Sequence, residues 1–212
     1  MDILDDIELI DEHELFRSIW TKPRLTLDFI LRNCPKRYLT TLFVLGGITN
    51  ALGNRSTDLN SSAFSPMVMI PMAIVVGGLL GWVFYYIYAS LLGWTGKWIK
   101  GIAGMDQFLT VLAWASIPTI FSLLLVIPEL FITDGNPGSV DISSMNISTV
   151  IPYWLIKIGE AVLAVWSLAI MMKGIALIQN FSIGKAILNA ILPLFVIIIP
   201  ICIIFGLIYM MK

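Results

Sequence analysis

Residues 187–211 read ILNAILPLFVIIIPICIIFGLIYMM, a run without a single Asp, Glu, Lys or Arg. A helix crossing a bilayer needs about 20 mostly apolar residues, and this run supplies them despite Pro193 and Pro200. Working outward, similar runs occur at 152–172, 108–131 and 67–93, with a shorter and weaker one at 38–54 that contains Gly46, Gly47 and Asn50. Hydrophobic residues make up 58% of the 212 residues, and the mean hydropathy is +0.90. Such a chain is too apolar for water. The expected fold is all-α: a polytopic membrane protein, a bundle of five transmembrane helices (38–212), preceded by an acidic tail and interfacial amphipathic helices (1–37).

The connecting segments carry cations on one side only. Arg17, Lys22, Arg24, Arg32, Lys36 and Arg37 precede the first span, Lys97 and Lys100 follow the second, and Lys173 and Lys185 follow the fourth. Against these ten stand only Arg55 and Lys212, with Lys157 inside a span. Loop cations favour the cytoplasm, so the expected topology is N-terminus inside and C-terminus outside. The implied location is an integral one in a membrane, with the N-terminus on its cytoplasmic face. Residues 1–14 hold seven acids and no apolar run, so a cleavable signal peptide is not expected. Ile3, Ile7 and Ile10 recur there at helical spacing, which leaves a short amphipathic helix or disorder equally open.

Leu15, Phe16, Ile19 and Trp20 follow an i, i+1, i+4, i+5 pattern beside Arg17 and Lys22. This predicts a helix lying flat in the headgroup region with its aromatics toward lipid. Pro23 fits the first turn of a second short helix whose apolar face is Leu27, Phe29 and Ile30. In the 93–107 connection, Trp94, Trp98 and Ile102 recur at i, i+4, i+8, so this segment is also expected at the interface. Gly77 and Gly81 form a small-xxx-small face for close helix contact in span two. Pro118 interrupts span three.

Charges inside a membrane cost roughly 2.5–3.5 kcal/mol each at a helix centre on insertion scales. Glu129, Lys157 and Glu160 are the candidates for an intramembrane polar cluster, because Lys157 and Glu160 share a helix face at i, i+3. They form either an ion-sensitive site on a cavity or a pair that cancels charge during insertion. Asn50, Gln179, Asn180 and Asn189 are adequately explained by interhelical hydrogen bonds.

Catalysis has little to build on. His13 is the sole histidine and lies in the acidic tail, which argues against histidine metal sites and Ser-His-Asp triads. Cys34 and Cys202 lie in different environments and form no C-x-x-C pair. There is no phosphate-cradling G-x-x-x-x-G-K-[ST] loop. Asp106, next to Gln107, is expected to cap the helix of span three. No catalytic, cofactor-binding or metal residue is expected, and nucleic acid is not an expected partner. Membrane lipid is, together with proteins on the cytoplasmic face.

The run Glu14–Arg24 (ELFRSIWTKPR), followed by five spans, resembles the bacterial branch of the Yip family of Ypt/Rab-interacting proteins. Ala113–Pro118 (AWASIP) in span three is similar to that family's second signature, an aromatic followed by a small-residue step and proline. Gly184-Lys185-Ala186 before span five adds to the resemblance. Eukaryotic members carry Asp-Leu-Tyr-Gly-Pro before an aromatic. Glu14, Leu15, Phe16 and Trp20 keep the residue classes, but the Gly-Pro is absent, so the resemblance leaves open whether the GTPase partner of eukaryotic members applies. The resemblance implies a five-span membrane protein with a cytoplasmic N-terminus and no known enzyme activity.

The expected function is therefore that of a non-enzymatic adaptor or membrane-organising protein, with Phe16, Trp20, Pro23, Arg24, Trp98 and Pro118 as the candidate interaction residues. The alternative is a small transporter, channel or lipid translocator built on Glu129, Lys157 and Glu160. A polar cavity entering between spans three and four would favour the alternative.

Overall fold

The computed structural model describes residues 14–53, 66–133 and 146–210. The acidic stretch with Ile3, Ile7, Ile10 and His13, nearly all of the 55–66 connection and the turn-rich centre of the 132–151 connection lie outside the described residues. Two short helices, α1 (Leu15–Thr21) and α2 (Pro23–Asn33), precede α3 (Leu39–Gly53) and α4 (Pro66–Trp98). A segmented helix follows as α5 (Met105–Ala115), α6 (Ile117–Phe121) and α7 (Leu123–Ile132). The long helices α8 (Ile147–Gln179) and α9 (Ile183–Met210) come last.

Among the described residues, four stretches are long and apolar enough to cross a membrane: Ile70–Trp98, Met105–Ile132, Ile147–Gln179 and Ile183–Met210. The 15-residue α3 is apolar but shorter. At 1.5 Å per residue it spans about 22 Å, less than the ~30 Å hydrocarbon thickness. By the same measure the 33-residue α4 and α8 reach about 50 Å, so each must tilt or project beyond the hydrocarbon. The chain is an all-α membrane bundle, as the apolar runs predict.

The short α3 stays in the bundle by approaching α4 backbone to backbone. A Cβ on Gly47 would collide with the Gly77 carbonyl and reach 2.7 Å from Gly81 Cα, and one on Gly77 would sit 2.8 Å from Ala51 Cβ. Between helices in lipid the hydrophobic effect offers little, so close van der Waals packing of small residues drives association. The Gly77–Gly81 face read from the sequence is this contact.

The centre of the bundle is α5. Phe108, Val111, Ala113 and Trp114 are fully buried, and every residue from Phe108 to Pro118 is buried, whereas the 28-residue α9 buries only Ala186, Asn189 and Pro193. Around α5 lie α2, α3, α4 and α8. A side chain at Gly174 of α8 would run into Val111 and Leu27, which shows how tightly three helices converge there.

The N-terminal helices depart from the expected arrangement. Leu15, Ile19, Leu27 and Ile30 have no exposed surface and belong to the same core as Trp114 and Phe108. Of the stripe read as lipid-facing, Leu15 and Ile19 are closed by protein, whereas Phe16 keeps 42% exposure and Trp20 is half-buried. Pro23 separates the two helices by holding Lys22 out of helical conformation (φ −125°, ψ 56°). The resulting turn lets α1 fold back on α2, with Thr26 Oγ1 donating to the Lys22 carbonyl at 3.0 Å.

A second difference concerns the end of α4. The sequence reading closes span two at residue 93, but the helix continues to Trp98. It stops where Lys100 turns left-handed (φ 69°) and the Gly101 N–H reaches back to the Gly96 carbonyl at 2.8 Å, a Schellman-type closure. α8 ends in the same way at Asn180 (φ 52°), with the Phe181 N–H bonded to the Ala176 carbonyl. Asp106 does not cap α5. The N-cap is Gly104, whose N–H donates to Gln107 Oε1 at 3.1 Å, while Asp106 occupies the first turn.

Candidate functional site

The sequence-selected aromatics of α1 meet the interrupted helix. Phe16 packs 5.3 Å from the Trp114 ring and 5.4 Å from Tyr38, and Trp20 meets Phe121 edge-on at 5.4 Å. Trp114 and Phe121 bracket Pro118, so α1 clasps the break on both sides. Pro118 lacks an N–H and sits buried in the first turn of α6. The carbonyls exposed by the break are answered locally: Ser116 Oγ donates to Ala113 O at 2.6 Å, Thr119 Oγ1 to Ser116 O at 2.8 Å, and Ser122 Oγ to Thr119 O at 2.6 Å. Ser167 of α8 donates to Ala115 O, also at 2.6 Å. Irregular backbone at membrane depth persists only where it is buried in protein or lines water, and here protein covers it. The Trp114 indole N–H is buried without a hydrogen-bond partner.

Pro23 is buried beneath the α1–α2 turn, and Arg24 is exposed beside it. Trp98 is exposed and makes an edge-on contact with Trp94 at 5.1 Å. Structure therefore joins Phe16, Trp20 and Pro118 in one cluster, and leaves Trp98 apart from it at the end of α4.

Glu129, Lys157 and Glu160 do come together. Lys157 Nζ lies 2.6 Å from Glu129 Oε1 and donates to Glu160 Oε2 at 3.0 Å. Glu129 is almost wholly buried, at 4% exposure. Its contact is close but off-line, an ion pair without an aligned hydrogen bond. The ammonium also stands 5.7 Å from the Tyr153 ring centroid. One cation thus serves two carboxylates, each supplied by a membrane-length segment.

A buried polar junction escaped the sequence reading as a unit. Gln179 Oε1 accepts from the Ala103 N–H at 2.9 Å, and its amide donates to Asn189 Oδ1 at 3.2 Å. Asn189 Nδ2 in turn contacts Leu92 O at 3.1 Å and Thr95 Oγ1 at 3.2 Å. The junction ties the end of α4, the 99–104 connection, α8 and α9. Gly96 and Gly101 make room for it, because a Cβ on either would strike the Gln179 amide. Gln179 and Asn189 do form the interhelical bonds expected of them. The density of glycine through 93–104 was the available signal for their meeting place.

These features define a helical integral membrane protein whose N-terminal helices are built into the bundle. A family model described as the Yip1 domain matches residues 16–204, from the clasping Phe16 to the exposed part of α9. The chain belongs to the Yip1 domain family. Comparison with curated proteins and with solved structures gives no match.

Proposed function

We propose that this Yip1 domain protein is a non-enzymatic adaptor or membrane organiser that presents α1 and α2 as a rigid platform at the membrane surface, cytoplasmic in the topology expected from the cation bias. The observation that supports this reading is the burial of Leu15, Ile19, Leu27 and Ile30. An amphipathic arm used only as a lipid anchor has its apolar face free for the bilayer. Here that face is spent on the protein, while Arg17, Arg24, Arg32 and Lys36 remain exposed. Their positions are fixed by the core below, which lowers the ordering cost of binding a partner.

The transporter alternative gains no support from Glu129, Lys157 and Glu160, which are held in one ion-pair cluster with Lys157 between the two carboxylates. The test is site-specific photocrosslinking in native membranes from positions 17 and 32, with the exposed Val165 of α8 as a lipid-facing control. Discrete protein adducts from the two platform positions only, lost when Trp20→Ala unseats α1, are expected. Adducts no different from the control, with ion flux in proteoliposomes abolished by Glu160→Gln, would replace the adaptor with the transporter.

A further inference from the structure

A cavity of about 510 Å³ opens between the α1–α2 turn and the α8–α9 turn. Three cations line it: Lys22 and Arg24 from the first turn, and Lys173 from the last part of α8. Among the described residues no acidic side chain lines it. Among the described residues none of the three cations has a carboxylate within ion-pair distance. A fourth cation stands close by, since the Lys185 ammonium is 5.8 Å from the ring of Phe181, itself a wall of the cavity. Like charges gathered around a concavity repel one another and raise the local potential for an anion. This gathering is not a sequence cluster, because Arg24 and Lys173 are distant in the chain and meet only through folding.

The remaining lining gives the ligand its character. Thr21 and Ser182 supply hydroxyl groups, and Leu25, Phe181 and Ile183 supply an apolar wall. The cavity lies where two membrane-length helices, α8 and α9, turn around. This is the end bearing Lys173 and Lys185. Basic pockets between membrane helices at this level suit phosphorylated headgroups.

We propose that this cavity binds a phosphoryl group of an anionic phospholipid, with Lys22, Arg24 and Lys173 as its counter-charges and the apolar wall against the glycerol and upper acyl chain. The site is independent of whether α1 and α2 recruit a protein partner.

The test uses the full-length protein, purified in mild detergent, with bound lipid read by native mass spectrometry during titration with phosphatidylglycerol or phosphatidylcholine. The anionic lipid is expected to bind at least tenfold more tightly. Each juxtamembrane cation contributes about fivefold in affinity, so Lys173→Gln should weaken binding by about that factor and Arg24→Gln with Lys173→Gln by roughly 25-fold. Lys97→Gln, outside the cavity, should leave binding unchanged. Ala176→Phe keeps every charge but fills the cavity, and should also remove the preference, with melting curves confirming that each variant is folded. A parallel titration with glycerol phosphate distinguishes the sources. Displacement of lipid at millimolar concentration identifies the phosphoryl group as the main determinant. Tight glycerol phosphate binding without lipid preference would overturn the lipid assignment. Equal losses in Lys97→Gln and Lys173→Gln, or full binding by a folded Ala176→Phe protein, would overturn the site.

Discussion

Replacing Lys157 with methionine removes the one cation that serves both Glu129 and Glu160. Glu129 is 4% exposed, so its carboxylate would be left charged in a water-poor site or forced to take up a proton. Breaking a buried ion pair by deleting one partner costs about 3–5 kcal/mol. The Lys157 side chain retains 25% exposure, so the lower end, about 3 kcal/mol, is expected. Glu129→Gln should cost less, about 2 kcal/mol, because Lys157 keeps Glu160. Glu160→Gln should be mildest, about 1 kcal/mol or below, because the half-exposed partner is lost while the 2.6 Å contact with Glu129 stays. The double change Lys157→Met with Glu129→Gln removes the charge at the most buried position and leaves Glu160, 28% exposed, without its cation, so it should recover part of the loss, a coupling of about 1–2 kcal/mol. On the scale of soluble domains of this size, 3 kcal/mol corresponds to roughly 6–12 °C in melting temperature. Melting of the wild type and the four variants in one detergent, followed by tryptophan fluorescence, measures the cycle and the Glu160→Gln comparison. Losses additive within about 0.5 kcal/mol, or Glu160→Gln more damaging than Glu129→Gln, would refute the reasoning from burial and pairing.

Three further outcomes follow from the packing and the charge pattern. Gly47→Ala should destabilise by about 1–3 kcal/mol through overpacking, since its Cβ points into the Gly77 carbonyl, whereas Gly184→Ala, with no neighbour within 4 Å, should be neutral in the same melting assay. Asn189→Leu leaves the Gln179 amide and the Leu92 carbonyl without their partners and should cost about 1–3 kcal/mol. Gly101→Ala should damage the same junction from the other side, and the pair should be less than additive. Reporter fusions at Asn60, Lys100, Asn136, Lys185 and the C-terminus should alternate outside, inside, outside, inside, outside, and a cytoplasmic C-terminus would reject the orientation derived from the cations.

The sequence disclosed most of what depends on local spacing. Apolar runs located the membrane helices, because length and hydropathy are local properties. Gly77 and Gly81 announced a contact face, and Lys157 with Glu160 announced a shared one. What the sequence could not disclose was which apolar medium covers an amphipathic helix. The pattern of Leu15, Ile19, Leu27 and Ile30 is the same whether lipid or protein lies opposite, and only the position of α5 decides it. The continuation of α4 to Trp98 was hidden for a related reason: Gly93 and Gly96 look like breakers until Gln179 and Asn189 are seen to need the space beside Gly96. Asp106 was the expected cap, but the Gly104 N–H meets Gln107 Oε1 instead, a choice set by backbone direction that spacing does not reveal. The basic cavity was invisible because its cations come from opposite ends of the chain.

α8 carries both of the molecule's unusual charge arrangements, and their contrast separates their roles. Lys157 and Lys173 are sixteen residues apart on this helix, about 24 Å along its axis, so they stand at different depths. At the first position the ammonium contacts two carboxylates of the protein itself. A site closed in this way has its counter-charge built in, and an incoming ion would have to displace a partner held at 2.6 Å. At the second position the protein brings Lys22 and Arg24 toward Lys173 and supplies no carboxylate in the lining. Gathering like charges is unfavourable unless something outside the chain compensates. On our proposal the first arrangement is structural and the second is a place for a ligand, which shifts the search for function from the ion-pair cluster within the membrane to the membrane surface, beside the helices that the Yip1 domain builds from its N-terminus.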